Sequence, residues 1–219
     1  MSTMALVCTE ADMNYEVVGT SSRSFKDDED FVQNASASAD VLICLGGESR
    51  MDEARTAVVI ELDLECLGEH TGEAMGEEGS NRVGFARYRN GNDEPSNLIE
   101  LVKQPTTKVI AIEAAKAVFE AAGFDVAVCA DQTGRIIDRL VRPKYNAALR
   151  FLDEGLANAE DMDLTCRLGL GYADGPLERV IRGDLARHHD ISERLFRETG
   201  APGYAPARRA VVAKNRQER

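Results

Sequence analysis

The sequence predicts an α/β domain over about residues 1–131 and an all-helical domain over about residues 132–219. In the first part, short apolar or β-branched runs alternate with polar segments, which is typical of a parallel, doubly wound sheet. After residue 134 no run has strand character, and apolar residues recur at helical spacing instead. With 219 residues, of which 43% are hydrophobic, the chain is long enough to bury a core.

Seven runs rich in apolar or β-branched residues are the candidate strands. They are residues 4–8, 15–19, 40–45, 57–62, 82–88, 97–102 and 124–130. The polar segments 27–35 and 49–55 are candidate short helices, and the acidic, glycine-rich segment 68–81 is expected to form a solvated helix or loop. Because these spacers are short, we expect some connections between the parallel strands to be shorter than usual.

The longest helical pattern before the second domain is residues 106–123. Its apolar stripe consists of Val109, Ile112, Ala115, Val118 and Phe119, and Gly123 is its expected C-terminal stop.

Four further helices are predicted in the second domain. One runs from about 136 to 154 with a kink at Pro143, and the next has Asn158 as N-cap and Gly169 as its stop. A third begins at Pro176, and it or its continuation runs to Glu198; a final basic helix spans about 206–215.

Charge and composition restrict the function classes. Residues 1–100 contain 21 acidic and 7 basic side chains, within a net charge of −12 for the chain, which argues against nucleic acid as a partner. The sequence contains no run of about 18 apolar residues that would predict a membrane span, and it lacks the pattern of a secretory leader. We therefore expect a soluble, cytoplasmic protein. The five cysteines are odd in number and form no CxxC pair, so neither a disulfide framework nor a zinc site is indicated.

The glycine pattern of a dinucleotide site is absent. After the first candidate strand no glycine occurs before Gly19, so backbone N–H groups cannot cradle a pyrophosphate there in the usual way. The pair Gly46-Gly47 can form a small anion-binding nest, but a plain turn is the favoured interpretation.

Two sets of ionisable residues attract a functional hypothesis. His188 and His189, followed by Asp190, point about 100° apart on a helix and cannot ligate one metal together, so a solvated helix face is predicted. Glu100 lies alone in an apolar run. It is either a carboxylate that orients a base or an edge-strand charge facing water, and the residues alone favour the second hypothesis.

Over about half of the chain the motifs resemble the NAD-dependent 3-hydroxyacyl-CoA dehydrogenase family. They are "NLIELV" (97–102), "IEAAKAVFEAAGFDVAVCAD" (112–131), "TGRIIDRLVRPKYNAALRFLDEGLANAEDMDLTCRLGLGYADGPLE" (133–178) and "TGAPGYAP" (199–206). The first 95 residues resemble the family's Rossmann domain only in outline. The resemblance implies a degenerate, truncated Rossmann-like parallel sheet, then an all-helical 6-phosphogluconate-dehydrogenase-like domain, as in the second unit of long bacterial members.

The resemblance also implies which residues occupy the family's functional positions. Ala86 stands where the family has its base histidine, and Glu100 matches the glutamate that orients it. Residues 61–63 replace the segment with the substrate-contacting serine. Asp138 replaces an asparagine, whereas Arg139 and Asn146 match. Glu100 and Asp138 are thus the candidate catalytic residues, and Asn146 and Arg139 the candidate substrate-binding residues.

The implied role leaves three hypotheses open. With no base and no glycine loop, no cofactor is expected, and NAD is implied only by analogy with the family. In the first hypothesis the chain is a subunit that binds acyl-CoA. It forms a homodimer through its helical domain or joins a complete dehydrogenase. The second hypothesis is an oxidoreductase on a CoA thioester that uses Glu100 or Asp138 as base. The third is a structural partner that binds neither ligand.

Overall fold

Six strands form one sheet, and most of the helices follow it in the chain. The strands are β1 (Tyr15–Val18), β2 (Val41–Cys44), β3 (Ala57–Glu61), β4 (Arg82–Arg87), β5 (Leu98–Lys103) and β6 (Asp125–Ala130). The helices are α1 (Asp30–Gln33), α2 (Val109–Ala121), α3 (Ile137–Asp153), α4 (Ala159–Leu170), α5 (Pro176–Arg182), α6 (Leu185–Thr199) and α7 (Arg208–Gln217). The structure is a computed structural model that describes residues 14–21, 23–26, 29–36, 39–48, 50, 52–73 and 81–219.

The strands lie in sequential order across the sheet, and four of the five neighbouring pairs are parallel. The predicted parallel-dominated α/β sheet with a helical second part is therefore confirmed. The exception is β4–β5, which is antiparallel. A parallel crossover needs a dozen or more residues, usually with a helix, whereas residues 88–97 form a short turn after β4. The longer connection from β5 to β6 contains α2 and restores a parallel pair.

The main hydrophobic core lies on the face of the sheet covered by α1 and α2. It combines branched side chains of β2 to β5 with a group of stacked and tilted phenylalanine rings: Phe25, Phe31, Phe85, Phe119 and Phe124. A smaller cluster, which includes Leu42, Ile60 and Val102, occupies the opposite face beneath the 3-10 helix Leu67–His70. Phe85 and Ala86 on β4 therefore point to different faces of the sheet.

Within the helical part, one predicted boundary was wrong, and the structure decides one that the sequence left open. Helix α4 continues through Gly169 to Leu170, and its C-cap is Gly171, whose φ of 70° is the left-handed conformation that glycine adopts most readily. The helix that begins at Pro176 ends at Arg182, and the continuation towards Glu198 is a separate helix, because Asp184 has φ 70° and interrupts the helical backbone. The side chain of Asp184 then caps α6 by accepting the N–H of Ala186 at 2.9 Å.

Some predictions for the first half also need correction or fall outside the described residues. The described part of 49–55 forms turns rather than a helix, and Val109 is exposed although it was placed on the buried stripe of α2. The candidate strand 4–8 lies outside the described residues. In segment 68–81 the 3-10 helix Leu67–His70 begins the loop, and residues 74–80 are not described. Within the described ranges, no helix is both long and apolar enough to cross a membrane.

Candidate functional site

Strands β4 and β5 bring Ala86 and Glu100 directly opposite each other. Side chains of opposed residues in an antiparallel pair share one face of the sheet, with Cβ atoms about 4.5–5.5 Å apart. A side chain longer than alanine at position 86 would therefore lie beside the Glu100 carboxylate. The register thus agrees with the pairing of base and orienting acid that the resemblance implies. The methyl group of Ala86 cannot accept a proton.

The Glu100 carboxylate is bound to the beginning of helix α3. Its Oε1 accepts the backbone N–H groups of Ile136 and Ile137 at 2.8 and 2.9 Å, two groups that have no partner within the helix. Burial raises the pKa of Glu100, while these two hydrogen bonds act in the opposite direction. The hypothesis of an edge-strand charge facing water was wrong, because β5 lies between β4 and β6 and the carboxylate is buried.

Asp138 and Arg139 occupy the first turn of α3. Asp138 is buried, and its Oδ1 accepts two N–H groups of Arg142, from Nε at 2.8 Å and from Nη2 at 2.7 Å. Arg139 is half-buried, and its Nη1 donates to the carbonyl oxygen of Thr133 at 3.2 Å. Asp138 is thus neutralised by an ion pair with a residue one helical turn away. The carboxylates of Glu100 and Asp138 both lie near the N-terminus of α3, where the Asp138 charge adds to the raised pKa of Glu100.

The ion pair continues into a buried chain of hydrogen bonds. Arg142 Nη1 lies 3.2 Å from His188 Nδ1, and His188 Nε2 lies 3.0 Å from Asn146 Oδ1. Since a guanidinium can only donate, Nδ1 accepts and the N–H is on Nε2, which donates to Asn146. Burial and the charge of Arg142 lower the pKa of His188 to about 3, so the imidazole is neutral. The predicted solvated face was therefore wrong for His188, which is fully buried.

Asn146 is fully buried, and its amide group makes five hydrogen bonds within the helical part. Besides the bond from His188, Oδ1 accepts the N–H of Ala207 at 3.1 Å. Nδ2 shares its two hydrogens among three acceptors at 3.2–3.3 Å, which are Ser192 Oγ and the carbonyl oxygens of Gly203 and Tyr204. In this arrangement the side chain ties α3 to α6 and to the segment before α7. A role of Asn146 or Arg139 in substrate binding stays a prediction.

The sequence hypothesis did not include Arg142 and His188, which complete this network. The spacing of Asp138 and Arg142 by four residues on a helix was a readable signal for an ion pair. No comparable signal linked His188 to Asn146, because the two residues are 42 positions apart and meet only when α6 packs on α3.

The described residues at the ends of β1–β3 do not fit the pyrophosphate of NAD. The loops after β1 and β2 pack on each other so closely that a Cβ on Gly19 would lie 2.4 Å from the Leu45 carbonyl oxygen. A Cβ on Gly46 would likewise lie 2.5 Å from the carbonyl oxygen of Thr20. These glycines therefore serve the contact between the two loops and do not open space for a ligand.

The charges at this edge oppose a pyrophosphate as well. Buried Glu61 accepts the Ser21 hydroxyl at 2.6 Å and the Gly46 N–H at 2.7 Å, which removes that N–H from any nest. The adjoining cavity, about 320 Å³ in volume, is lined by Glu61, Asp63 and Glu65, with Arg23 as the only cation among its lining residues. The described residues at this edge therefore do not suit a pyrophosphate.

Comparison with known proteins separates the two parts of the chain. Residues 134–219 match the family profile described as "3-hydroxyacyl-CoA dehydrogenase, C-terminal domain". Human mitochondrial hydroxyacyl-coenzyme A dehydrogenase is 36% identical over 81 residues, which are 37% of this chain and 26% of the relative. A 3-hydroxybutyryl-CoA dehydrogenase of Mycobacterium tuberculosis is 29% identical over 110 residues, covering 50% of this chain and 38% of the relative. The matched segments thus span well under two thirds of these relatives.

Solved structures extend the likeness to the sheet. FadB2 of M. tuberculosis has a TM-score of 0.69 and 19% identity, covering 82% of this chain and 66% of that structure. The (S)-3-hydroxybutyryl-CoA dehydrogenase PaaH1 of Ralstonia eutropha has a TM-score of 0.67 and 20% identity, with coverages of 80% and 64%. At these identities the likeness shows the fold alone.

Proposed function

We propose that the chain, whose residues 134–219 match the 3-hydroxyacyl-CoA dehydrogenase C-terminal domain, acts as a dimerising, acyl-CoA-binding subunit without NAD-dependent dehydrogenase chemistry of its own. The observation that carries this proposal is the pair of Ala86 and Glu100. Oxidation of a hydroxyacyl group needs a base that takes the hydroxyl proton. The resemblance assigns that base to position 86, where this chain has an alanine opposite Glu100, and Glu100 is bound to the start of α3.

The apolar side chains exposed on α3 and α4 support dimerisation through the helical part. Leu140 and Phe151 on α3, and Leu164 and Leu168 on α4, are all more than 40% exposed. Beside them a cavity of about 430 Å³ lies between the two helices and is lined mainly by apolar side chains, including Ala147 and Met162. Single exposed leucines are ordinary, but a group of them on neighbouring helices indicates an interaction surface.

The oligomeric state is tested by light scattering after gel filtration. We expect twice the chain mass for the wild-type protein and the chain mass for Leu168→Asp, because the leucine is 79% exposed here and a charge is costly in an apolar interface. Val109→Asp is the matched control, since Val109 is a comparably exposed apolar residue on α2, the helix that packs on the sheet. A wild-type monomer, or equal disruption by both variants, would reject the interface.

Ligand binding and turnover test the rest of the proposal. Thermal-shift titration with acetoacetyl-CoA, CoA and NADH is expected to show stabilisation by the CoA compounds only. Incubation with NAD and a short 3-hydroxyacyl-CoA is expected to give no increase in absorbance at the NADH wavelength. NADH formation at an enzyme-like rate would refute the loss of chemistry. Absence of any shift with CoA compounds would favour the purely structural role.

The alternative, an oxidoreductase with altered chemistry, has one observation in its favour. Glu100 is buried and has a raised pKa, which is common among catalytic carboxyl groups. If turnover is found, Glu100→Gln and Asp138→Asn decide between the two candidate bases. A base replaced by its amide loses turnover, whereas activity unchanged in both variants would rule out both assignments.

A further inference from the structure

A cavity of about 290 Å³ lies at the carboxyl ends of β5 and β6. It is lined by residues 103–105 at the end of β5, by residues 130–132 at the end of β6, and by Glu73. Because the two strands are parallel, their carboxyl ends meet at one edge of the sheet, which is where open α/β sheets bind ligands. We call this space the Gln104 cavity, after the residue that connects its two carboxylates.

Gln104 is the buried polar side chain of this cavity, with only 2% of its surface exposed. Its Nε2 donates to Glu73 Oε2 at 3.0 Å and to Asp131 Oδ2 at 3.3 Å, so the amide group is directed into the space between the two carboxylates. Its Oε1 is also buried, yet it accepts no hydrogen bond from any residue that the structure describes. A buried acceptor without a partner is costly and uncommon in native proteins. Gln104 therefore has an acceptor to offer to a ligand.

The backbone around Gly68 fixes the two carboxylates. Asp131 Oδ1 and Oδ2 accept the N–H groups of Leu67 and Gly68, each at 2.8 Å. A Cβ at Gly68 would collide with Glu73 Oε2, so the glycine lets this carboxylate approach the backbone. An ionised carboxylate has about four lone-pair sites, so oxygens that accept these hydrogen bonds can still contact a ligand.

The charged groups that line the cavity leave an excess of negative charge. Glu73 and Asp131 contribute two carboxylates, and Lys103 contributes the one ammonium group of the lining. Lys103 is exposed, so its ammonium group can extend into water. Within the described ranges, the hydrogen-bond donors to the two carboxylates are uncharged: the amide of Gln104 and two backbone N–H groups. The lining thus offers acceptors and negative charge, which suit a cation.

We propose that the Gln104 cavity binds a divalent metal cation of the Ca²⁺ type through oxygens of Glu73, Asp131 and Gln104. Carboxylate and amide oxygens are the hard ligands that Ca²⁺ prefers, and Ca²⁺ accepts irregular coordination that water completes. Among the described residues, no group of three or more His, Cys, Asp or Glu side chains is placed to hold a metal ion. The amide oxygen of Gln104 therefore supplies the third side-chain ligand.

Binding requires a rotation of the amide group and small movements of the carboxylates. An ion at the position of Nε2 would lie 3.0 and 3.3 Å from the two carboxylate oxygens, whereas Ca²⁺–oxygen distances are about 2.3–2.6 Å. Each oxygen therefore has to move by about 1 Å or less. Rotation about the terminal torsion of Gln104, which is soft, brings Oε1 to the ion and breaks no hydrogen bond of Oε1 among the described residues. The ion replaces the two hydrogen bonds of Nε2 with three ion–oxygen contacts.

Isothermal titration calorimetry with CaCl₂ and MgCl₂ tests the site in the full chain, after a chelator has removed bound metal. The buffer contains about 0.1 M KCl, which screens the acidic surface. We expect one Ca²⁺ per chain with a Kd of about 1 mM or below, since two carboxylates make a site of low charge. Mg²⁺ should bind at least about tenfold more weakly, because it demands a near-ideal octahedral arrangement.

Two variants change the ligands in opposite directions. Glu73→Gln removes a charged ligand at an exposed position and should weaken Ca²⁺ binding at least about tenfold. Gln104→Glu adds a third carboxylate and should strengthen binding about tenfold, while lowering the melting temperature of the metal-free chain. Glu120→Gln is the matched control, because it removes the same charge from an exposed residue of α2 that does not line the cavity. Thermal melts establish that each variant is folded.

The outcomes decide between a site in this cavity and general attraction to an acidic protein. Absence of Ca²⁺ binding by the wild type at millimolar concentrations overturns the proposal. Equal weakening by Glu120→Gln, or wild-type affinity in Glu73→Gln, also overturns it, because the cavity would then not be the place of binding. If Mg²⁺ binds more tightly than Ca²⁺ and depends on Glu73, the cation site is supported and Ca²⁺ as its ion is refuted.

Discussion

The neutral, buried imidazole of His188 makes the stability of the fold depend on pH in a defined way. In the native state its pKa is lowered to about 3, against 6.5 for a solvated histidine, because it is buried and faces the charge of Arg142. The unfolded chain therefore binds a proton at a pH where the native protein does not. Stability from this residue is fully present above pH 6.5 and is lost as the pH falls from 6.5 towards 3.

The size of the effect follows from the two pKa values. Between pH 8 and pH 5 the unfolded state gains about 2 kcal/mol from protonation of His188, and the full span to below pH 3 is on the order of 5 kcal/mol. Other groups titrate in the same interval, so the wild-type curve alone does not isolate this residue. The difference between the wild type and His188→Gln does, since glutamine keeps hydrogen-bonding groups but does not titrate.

Urea unfolding at pH 5, 6, 7 and 8 provides the measurement. At pH 8 the wild type is expected to exceed His188→Gln in free energy of unfolding by about 1–3 kcal/mol, from the lost hydrogen-bond geometry and the ring contact with Tyr145. This advantage should shrink by about 2 kcal/mol at pH 5. His189→Gln, on the partly exposed neighbour, controls for general effects on α6. A difference that stays constant from pH 8 to pH 5 would refute the neutral, buried state of His188.

Three further changes test other parts of the structure. Glu100→Ala leaves two N–H groups of α3 without their acceptor and should lower the free energy of unfolding by about 3 kcal/mol, against about 1 kcal/mol for Glu100→Gln in the same urea titration. Gly91→Ala should lower the free energy of unfolding by about 2 kcal/mol or more, as measured by thermal melting. Gly155 has a similar φ but open space around it, so Gly155→Ala should lower it by only about 1 kcal/mol. Equal losses in the two variants would contradict the close contact with α5. The Ala86→His variant should not form NADH from NAD and a 3-hydroxyacyl-CoA, because the described residues at the ends of β1–β3 do not fit a pyrophosphate. NADH formation would show that NAD binds despite this misfit.

Local sequence patterns were sufficient for most of the helical part. Asn158 caps α4 by accepting the N–H of Asp161 at 2.9 Å, and Pro176 begins α5, as the residues themselves predict. These features depend on neighbours in the chain, for which backbone sterics and local hydrogen bonds decide the outcome. The stop of α4 was misplaced by two residues, because both Gly169 and Gly171 satisfy the local rule and only one adopts a positive φ.

The sequence by itself determined the α/β sheet followed by helices, the absence of a GxGxxG pattern after the first candidate strand, and an alanine, which cannot accept a proton, at position 86. Only the tertiary structure decided what the remaining polar residues do. The β4–β5 register places Glu100 opposite Ala86 and under α3, and the packing of α6 on α3 buries His188 against Asn146. The cavity lined by Arg23, Arg89 and Arg187 likewise assembles side chains from distant segments of the chain. The physical reason is that each contact joins residues distant in the chain, so burial and pairing depend on how the elements pack and not on local spacing.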